Sequence, residues 1–147
     1  MIEISPLRPE DRAGWQPLAV GYNIFYERGY PDGTYDTAWR CLMEGRGLHG
    51  LAARLDGRMV GLAHSPFHPS VWCDHPRYLA DLYVDEAACG HGAARALIEA
   101  VAAAARAHGA ERGYWQTRED NARARLLYDK VAKHPGFIRY DYPMLST

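Results

Sequence analysis

The 147 residues carry 17 lysine and arginine against 18 aspartate and glutamate, a net charge of -1, and are 48% hydrophobic. A chain of this size buries roughly two thirds of its unfolded surface as one domain, and its composition excludes disorder, a fibre and a strongly basic nucleic-acid binder. The charges are spread evenly, with 7 basic and 9 acidic residues up to residue 75 and 10 and 9 beyond it, so neither half is a basic arm.

Ile2 and Ile4 alternate ahead of Pro6 and predict a short strand, while Pro9-Glu10-Asp11 supplies the proline and acids that favour a helix start. That helix runs to about Arg28. Gly29 to Gly33 reads as a loop, and Thr34 or Asp36 caps a second helix ending near Gly45. Gly50–Leu55 and Met59–Phe67 flank Asp56-Gly57, a dipeptide that supplies the positive φ values of a tight hairpin turn. Tyr78–Val84 is a strand, and a helix follows from about Gly92 to His108, closed by Gly109. Tyr114–Thr117 predicts another strand. Asp120 or Asn121 then caps a helix that must stop by His134-Pro135, and Phe137–Tyr142 is expected to close the chain as a last strand. With no repeat or linker, the expectation is one domain over 1–147, a mixed α/β sandwich with helices on both faces of the sheet.

The opening residues lack the charged and apolar regions of a signal peptide, and no run reaches membrane-spanning length, so the expected location is cytoplasmic with no membrane partner. Cys41, Cys73 and Cys89 are widely spaced and expected to be reduced. No metal site is expected: His64 and His68 are four apart, but Pro66 and Pro69 prevent the helix that would align them.

The densest chemical signal is Val84-Asp85-Glu86-Ala87-Ala88-Cys89-Gly90-His91-Gly92-Ala93-Ala94, between a strand and an Ala-rich helix. Small residues let the backbone N–H groups of such a turn converge on an anion, with the helix dipole adding partial positive charge. A packing turn explains a bare Gly-x-Gly equally well. Arg95 stands where a dinucleotide fingerprint has its third glycine, and no Gly-Lys-Ser/Thr follows, so the turn is neither that fingerprint nor a P-loop. In the second constellation, Asn121 to Tyr128, the residues Ala124, Leu127, Tyr128 and Val131 share one helical face. Tyr128 is thereby turned inward, where its hydroxyl needs a partner, and a core tyrosine bonded to a backbone carbonyl accounts for it.

Together these segments resemble the GNAT superfamily of acyl-CoA-dependent N-acetyltransferases. Leu82-Tyr83-Val84 with Gly90-His91-Gly92-Ala93-Ala94 and Leu97 is similar to the family's acyl-CoA motif, and Asn121, Ala124, Leu127-Tyr128 and Gly136-Phe137 to its second motif. Tyr22, Phe25-Tyr26, Phe67 to Ser70 with Trp72, and Tyr78 to Leu82 resemble the histone and polyamine acetyltransferase branch.

The resemblance implies a mostly antiparallel twisted sheet with a V-shaped split between Tyr78–Val84 and Tyr114–Thr117 that takes acetyl-CoA as co-substrate. By that resemblance Leu82, Tyr83 and Val84 meet the pantetheine arm and the thioester, Cys89 to Arg95 hold the pyrophosphate, and Asn121 and Ala124 contact the cofactor. Tyr128 occupies the family's position for the acid that protonates the leaving thiolate. Tyr22, Tyr26 and Trp72 wall the acceptor site. The implied acceptor is a primary amine, either a small molecule such as a polyamine or amino acid or the lysine of a peptide, with no nucleic acid involved.

Three departures from the family pattern are present, of which Ala94 in place of the last glycine is a variation the motif tolerates. Cys89 replaces an Arg or Gln that binds phosphate, and Ala80 stands where similar spermidine/spermine acetyltransferases carry a glutamate as base. Asp81 is the remaining carboxylate, and strand alternation puts it on the opposite face from Ala80, where it positions an amine, accepts a proton through water, or merely bonds loop backbone. A non-catalytic acyl-CoA-binding sensor is the alternative these departures suggest. The aromatic Phe137–Tyr142 segment is expected to bury against a second copy in a homodimer.

Overall fold

The computed structural model describes residues 1–72 and 77–145. Two compact units are present, Met1–Gln116 and Thr117–Thr147. The first contains β1 (Ile2–Pro6), α1 (Arg12–Phe25), α2 (Asp32–Glu44), β2 (Leu48–Leu55), β3 (Arg58–Pro66), β4 (Arg77–Leu79), β5 (Asp81–Val84), α3 (Ala93–Ala107) and β6 (Gly113–Trp115). The second contains α4 (Ala122–Val131). The expected mixed α/β fold with a largely antiparallel sheet is the one observed.

Four strands pair in the order β1-β2-β3-β5, each antiparallel to its neighbour, and β4 pairs in parallel with β6. The hairpin between β2 and β3 turns at Asp56 and Gly57, whose φ angles of 52° and 84° are the paired positive values that dipeptide predicts. Val60, Gly61, Leu62 and Ala63 are all buried, so β3 is covered on both faces. On one face α1 and α2 bury Trp15, Leu18, Tyr35, Trp39 and Leu42 against Leu62. The Trp15 ring centre lies 5.1 Å from that of Trp39 and 6.3 Å from that of Tyr35. On the other face α3 buries Leu97, Ile98, Val101 and Ala105, the helical spacing of one apolar stripe. Leu97 is fully buried, and truncating it to alanine would cost about 2–5 kcal/mol. A buried ion pair ties the start of α1 to the sheet: Asp11 Oδ2 accepts from Arg54 Nη2 at 2.8 Å and from the Arg8 backbone N–H at 2.8 Å.

Several expectations are corrected. α1 ends at Phe25 rather than Arg28, and α2 starts at Asp32 behind Pro31 rather than at a Thr34 or Asp36 cap. The Tyr78–Val84 strand is broken at Ala80, its first half pairing with β6 and its second with β3. Phe137–Tyr142 forms no ladder among the described residues, and Phe137, Tyr140 and Tyr142 are more than four-fifths exposed. Its β-favouring composition does not suffice, because a strand also needs an edge to accept its N–H and C=O groups.

Among the described residues no helix is long and apolar enough to cross a membrane, and no group of three His, Cys, Asp or Glu could hold a metal. Cys41 and Cys89 are free thiols, and Cys73 lies outside the described residues.

Candidate functional site

The break at Ala80 organises the site. Ala80 N–H donates to the His64 carbonyl at 2.9 Å, yet His64 is the register partner of Asp81, so two residues of one strand oppose one of the other. This is a β-bulge, and it cancels the alternation expected of the segment: Ala80 and Asp81 line the same cavity instead of facing apart. A carboxylate therefore stands in the cavity that Ala80 borders.

Below the bulge, β5 pairs only with β3. Asp85 N–H donates to the Val60 carbonyl at 2.7 Å, so antiparallel alternation directs the ladder groups of Asp81 and Tyr83 toward β3 and those of Leu82 and Val84 away from it. β6 covers the other edge only as far as Leu79, opposite Trp115. The backbone groups of Leu82 and Val84 therefore point away from β3. The Tyr83 side chain goes to the α1 face instead, where Gly21 makes room for it: a Cβ on Gly21 would stand 2.8 Å from the phenol oxygen. Burial first, then the carboxylates of Asp85 and Glu86, raise the Tyr83 pKa.

The turn before α3 is shaped by Gly90 and Gly92, at φ of 90° and 79°. Open space lies where either glycine's Cβ would point. Gly92 caps α3 with no side-chain hydrogen bond and the first turn holds no acid, so the amides of Ala93, Ala94 and Arg95 at the helix start face no competing anion on their own element. These features fit a pyrophosphate. The side chains of the turn are otherwise engaged: Cys89 Sγ donates to the Asp85 carbonyl at 3.6 Å, His91 Nδ1 to the Ala88 carbonyl at 3.0 Å, and Arg95 pairs with Glu99 at 3.0 Å.

On the α1 and α2 side two adjoining cavities of about 290 and 180 Å³ share Ala38, His64 and Asp81. The larger is walled by Trp15, Ala19, Tyr22 and Asn23 of α1, Thr34, Tyr35 and Ala38 of α2, Leu62 and His64 of β3, Asp81 of β5, and Arg28 and Tyr30 of the α1–α2 loop. Trp15 Nε1–H donates to His64 Nε2 at 2.9 Å, and His64 Nδ1 lies 2.9 Å from Asp81 Oδ2. Indole can only donate, so Nε2 is the acceptor and Nδ1 carries the proton that bonds Asp81. The Tyr22 hydroxyl also bonds Asp81. Burial alone would raise the Asp81 pKa, but the hydrogen bonds from His64 and Tyr22 and the charge of Arg28 outweigh it and hold the carboxyl below its usual value. Burial and the Asp81 carboxylate push the Tyr22 phenol well above its ordinary range.

Of the aromatic walls read from sequence, only Tyr22 lines the cavity. Tyr26 stacks on Tyr22 at 5.0 Å, and Trp72 is 88% exposed and borders neither cavity. No local spacing announces Trp15, His64, Arg28 and Tyr35, which come from α1, β3, the α1–α2 loop and α2. In the second unit, Asn121 is committed to capping α4, its Oδ1 accepting from Ala124 N–H at 3.4 Å and its Nδ2 donating to Thr117 Oγ1 at 3.1 Å. Ala124, Leu127, Tyr128 and Val131 share a face of α4 and are half-buried.

Comparison with known proteins adds an independent line. The family model described as "Acetyltransferase (GNAT) family" matches residues 15–132. The D-amino-acid N-acetyltransferase HPA3 of Saccharomyces cerevisiae is 33% identical over 143 residues, spanning 95% of this chain and 89% of the yeast protein. Among solved structures, the ribosomal-protein-alanine N-acetyltransferase of Brucella melitensis biovar Abortus 2308 aligns with a TM-score of 0.82 at 23% identity, covering 98% of this chain and 99% of its own. The aminoglycoside enzyme AAC(6')-Iy, in complex with a bisubstrate analogue of CoA, aligns with a TM-score of 0.85 at 17% identity over 99% of both chains. At these identities the structures speak for the fold alone.

Proposed function

Since the chain belongs to the GNAT family of acetyltransferases and is an acyl-CoA-dependent N-acetyltransferase, we propose that it acetylates the primary amine of a small molecule seated in the cleft between α1, α2 and β5. The observation that carries this reading is the bulge that brings Asp81 into that cleft, fixed by His64 and Tyr22. Amino acids are the first acceptors to test, because the yeast relative is named for acting on them. Polyamines and lysine peptides remain in the panel.

Acetyl-CoA gives up its acetyl group to the amine, the C–S bond breaking as the N–C bond forms, and CoA leaves as a thiolate that is protonated to the free thiol. The amides at the start of α3 hold the pyrophosphate, and the free edges of Leu82 and Val84 pair with the pantetheine arm, leaving the thioester beside the bulge. Asp81 holds the incoming ammonium ion. An amine of pKa about 10.4 must lose a proton before it attacks, and the ionised Asp81 directs that proton to water. Tyr128 is the proposed acid for the departing thiolate, within one catalytic domain spanning 1–147. The test is release of free thiol from acetyl-CoA with the amine panel, in wild type and Asp81→Asn. Thiol release unchanged by that substitution would overturn the role of Asp81.

The exposed run Phe137, Ile138, Tyr140 and Tyr142 supports a homodimer in which a second copy covers it. A monomeric mass by light scattering at micromolar concentration would exclude that arrangement.

A further inference from the structure

The acceptor cleft contains one cation that catalysis as described does not use. The Arg28 guanidinium lies 6.0 Å from the Tyr22 ring centre and 5.4 Å from that of Tyr26, and it lines the same cavity as Asp81. Among the described residues no carboxylate stands within ion-pair distance of it. It rests instead on two aromatic faces, an arrangement that orients a guanidinium while leaving its donor edge available.

The backbone is built to hold it there. Arg28 N–H donates to the Asn23 carbonyl at 2.8 Å and Glu27 N–H to the Ile24 carbonyl at 2.9 Å, the paired bonds of a helix stop that reverses the chain. Such a stop places its next residue in the left-handed region, normally a glycine; here Glu27 occupies it, at φ of 58°. A non-glycine residue at that angle is strained, and strain is retained where it positions something. The turn folds Arg28 back over Tyr22, whose hydroxyl is bonded to Asp81.

The cleft therefore offers a carboxylate at the bulge and, lining the same cavity, an exposed guanidinium whose charge acts on that carboxylate without forming an ion pair with it and which lies on the Tyr22 and Tyr26 rings. A polyamine or a lysine side chain would bring a second cation or an alkyl stem against Arg28 and leave it unpaired. An amino acid in its zwitterionic form satisfies both charges at once, with its ammonium on Asp81 and its carboxylate on the guanidinium fork.

We propose that Arg28 is the carboxylate anchor of the acceptor site, and that the acceptor is a small amino acid recognised through its free carboxyl group. The proposal rests on the reading above that an amine is acetylated in this cleft. It is tested by thiol release from acetyl-CoA with alanine, phenylalanine and lysine, each as both enantiomers, with the α-carboxyl free or amidated, and with spermidine. Rates are corrected for the fraction of free amine. The wild type is expected to prefer free acids over their amides by about 10- to 100-fold in kcat/KM, chiefly through KM. Arg28→Gln should abolish that preference, bringing kcat/KM for the free acids down to that for the amides, and Arg28→Lys should retain part of it. Equal use of acid and amide by the wild type, a preference that survives Arg28→Gln, or turnover of spermidine alone would overturn the anchor while leaving acetyl transfer intact. Absence of thiol release with every amine would overturn both.

Discussion

The start of α3 and the acceptor cleft are made of different material. The first is backbone: two left-handed glycines, an uncapped helix start and a turn whose side chains are bonded elsewhere. The second is side chain, a hydrogen-bonded series from Trp15 through His64 to Asp81 with Tyr22 and Arg28 around it, drawn from α1, its following loop, β3 and β5. A backbone site tolerates any side chain that keeps the chain's path, which is why Cys89 can replace the expected Arg or Gln without removing an amide. A side-chain site depends on each member, because His64 can fix Asp81 only while Trp15 fixes His64.

This contrast predicts where substitutions act: on the backbone side in the KM for acetyl-CoA, on the side-chain side in kcat and in the acceptor. The largest expected effect is at Tyr128, where loss of a positioned acid costs about 10²–10⁴-fold in kcat. Tyr128→Phe keeps the ring, so the acetyl-CoA KM and the melting temperature should hold, and a single-turnover measurement separates chemistry from product release. An unchanged single-turnover rate would remove Tyr128 from the mechanism.

Asp81→Asn comes next, with kcat/KM for the amine expected to fall about 10²-fold and the acetyl-CoA KM unchanged. It also carries a stability signature. The native Asp81 pKa lies below the usual 3.8, so the ionised form stabilises the fold above that value, and the contribution is lost as pH falls through the native pKa. The stability difference between wild type and Asp81→Asn should therefore be full at neutral pH and close only below pH 3.8. A gap that closed well above pH 3.8 would show that the ionised Asp81 is not what stabilises the fold.

On the backbone side, Gly92→Val places a branched side chain at φ of 79° and in the open space above the turn. The acetyl-CoA KM should rise about tenfold or more with the acceptor KM unchanged. Normal affinity in a folded variant would show that the turn only packs. The smallest effect is expected at Cys89, whose thiol bonds the Asp85 carbonyl. Cys89→Ser keeps a donor there, and activity should stay within about twofold. An acetylated Cys89 in a quenched reaction would instead reveal a covalent path.

The elements read most directly from the sequence are those with local causes. The Asp56-Gly57 turn, the amphipathic α3 and the Asn121 cap each follow from a few neighbouring residues, and all three are present. The same holds for the conformation of the turn before α3, since its glycines act through their own backbone. Phe137–Tyr142 failed as a strand for the complementary reason: alternation and aromatic content are local, whereas a ladder needs a partner edge.

The acceptor cleft was legible only in part. Tyr22 and Asp81 were found, but Tyr26 and Trp72 were placed on the wall with them, and His64, Trp15 and Arg28 were not. By itself the sequence determined the fold class, the glycine turn before α3 and the helical face of Tyr128, because periodicity, small-residue spacing and capping are properties of consecutive residues. Only the tertiary structure decided that Ala80 and Asp81 share a cavity, through a bulge set by the register of β5 on β3. It alone brought Trp15, 49 positions from His64, within a hydrogen bond of it, because a contact between distant residues exists only once the elements that carry them have packed.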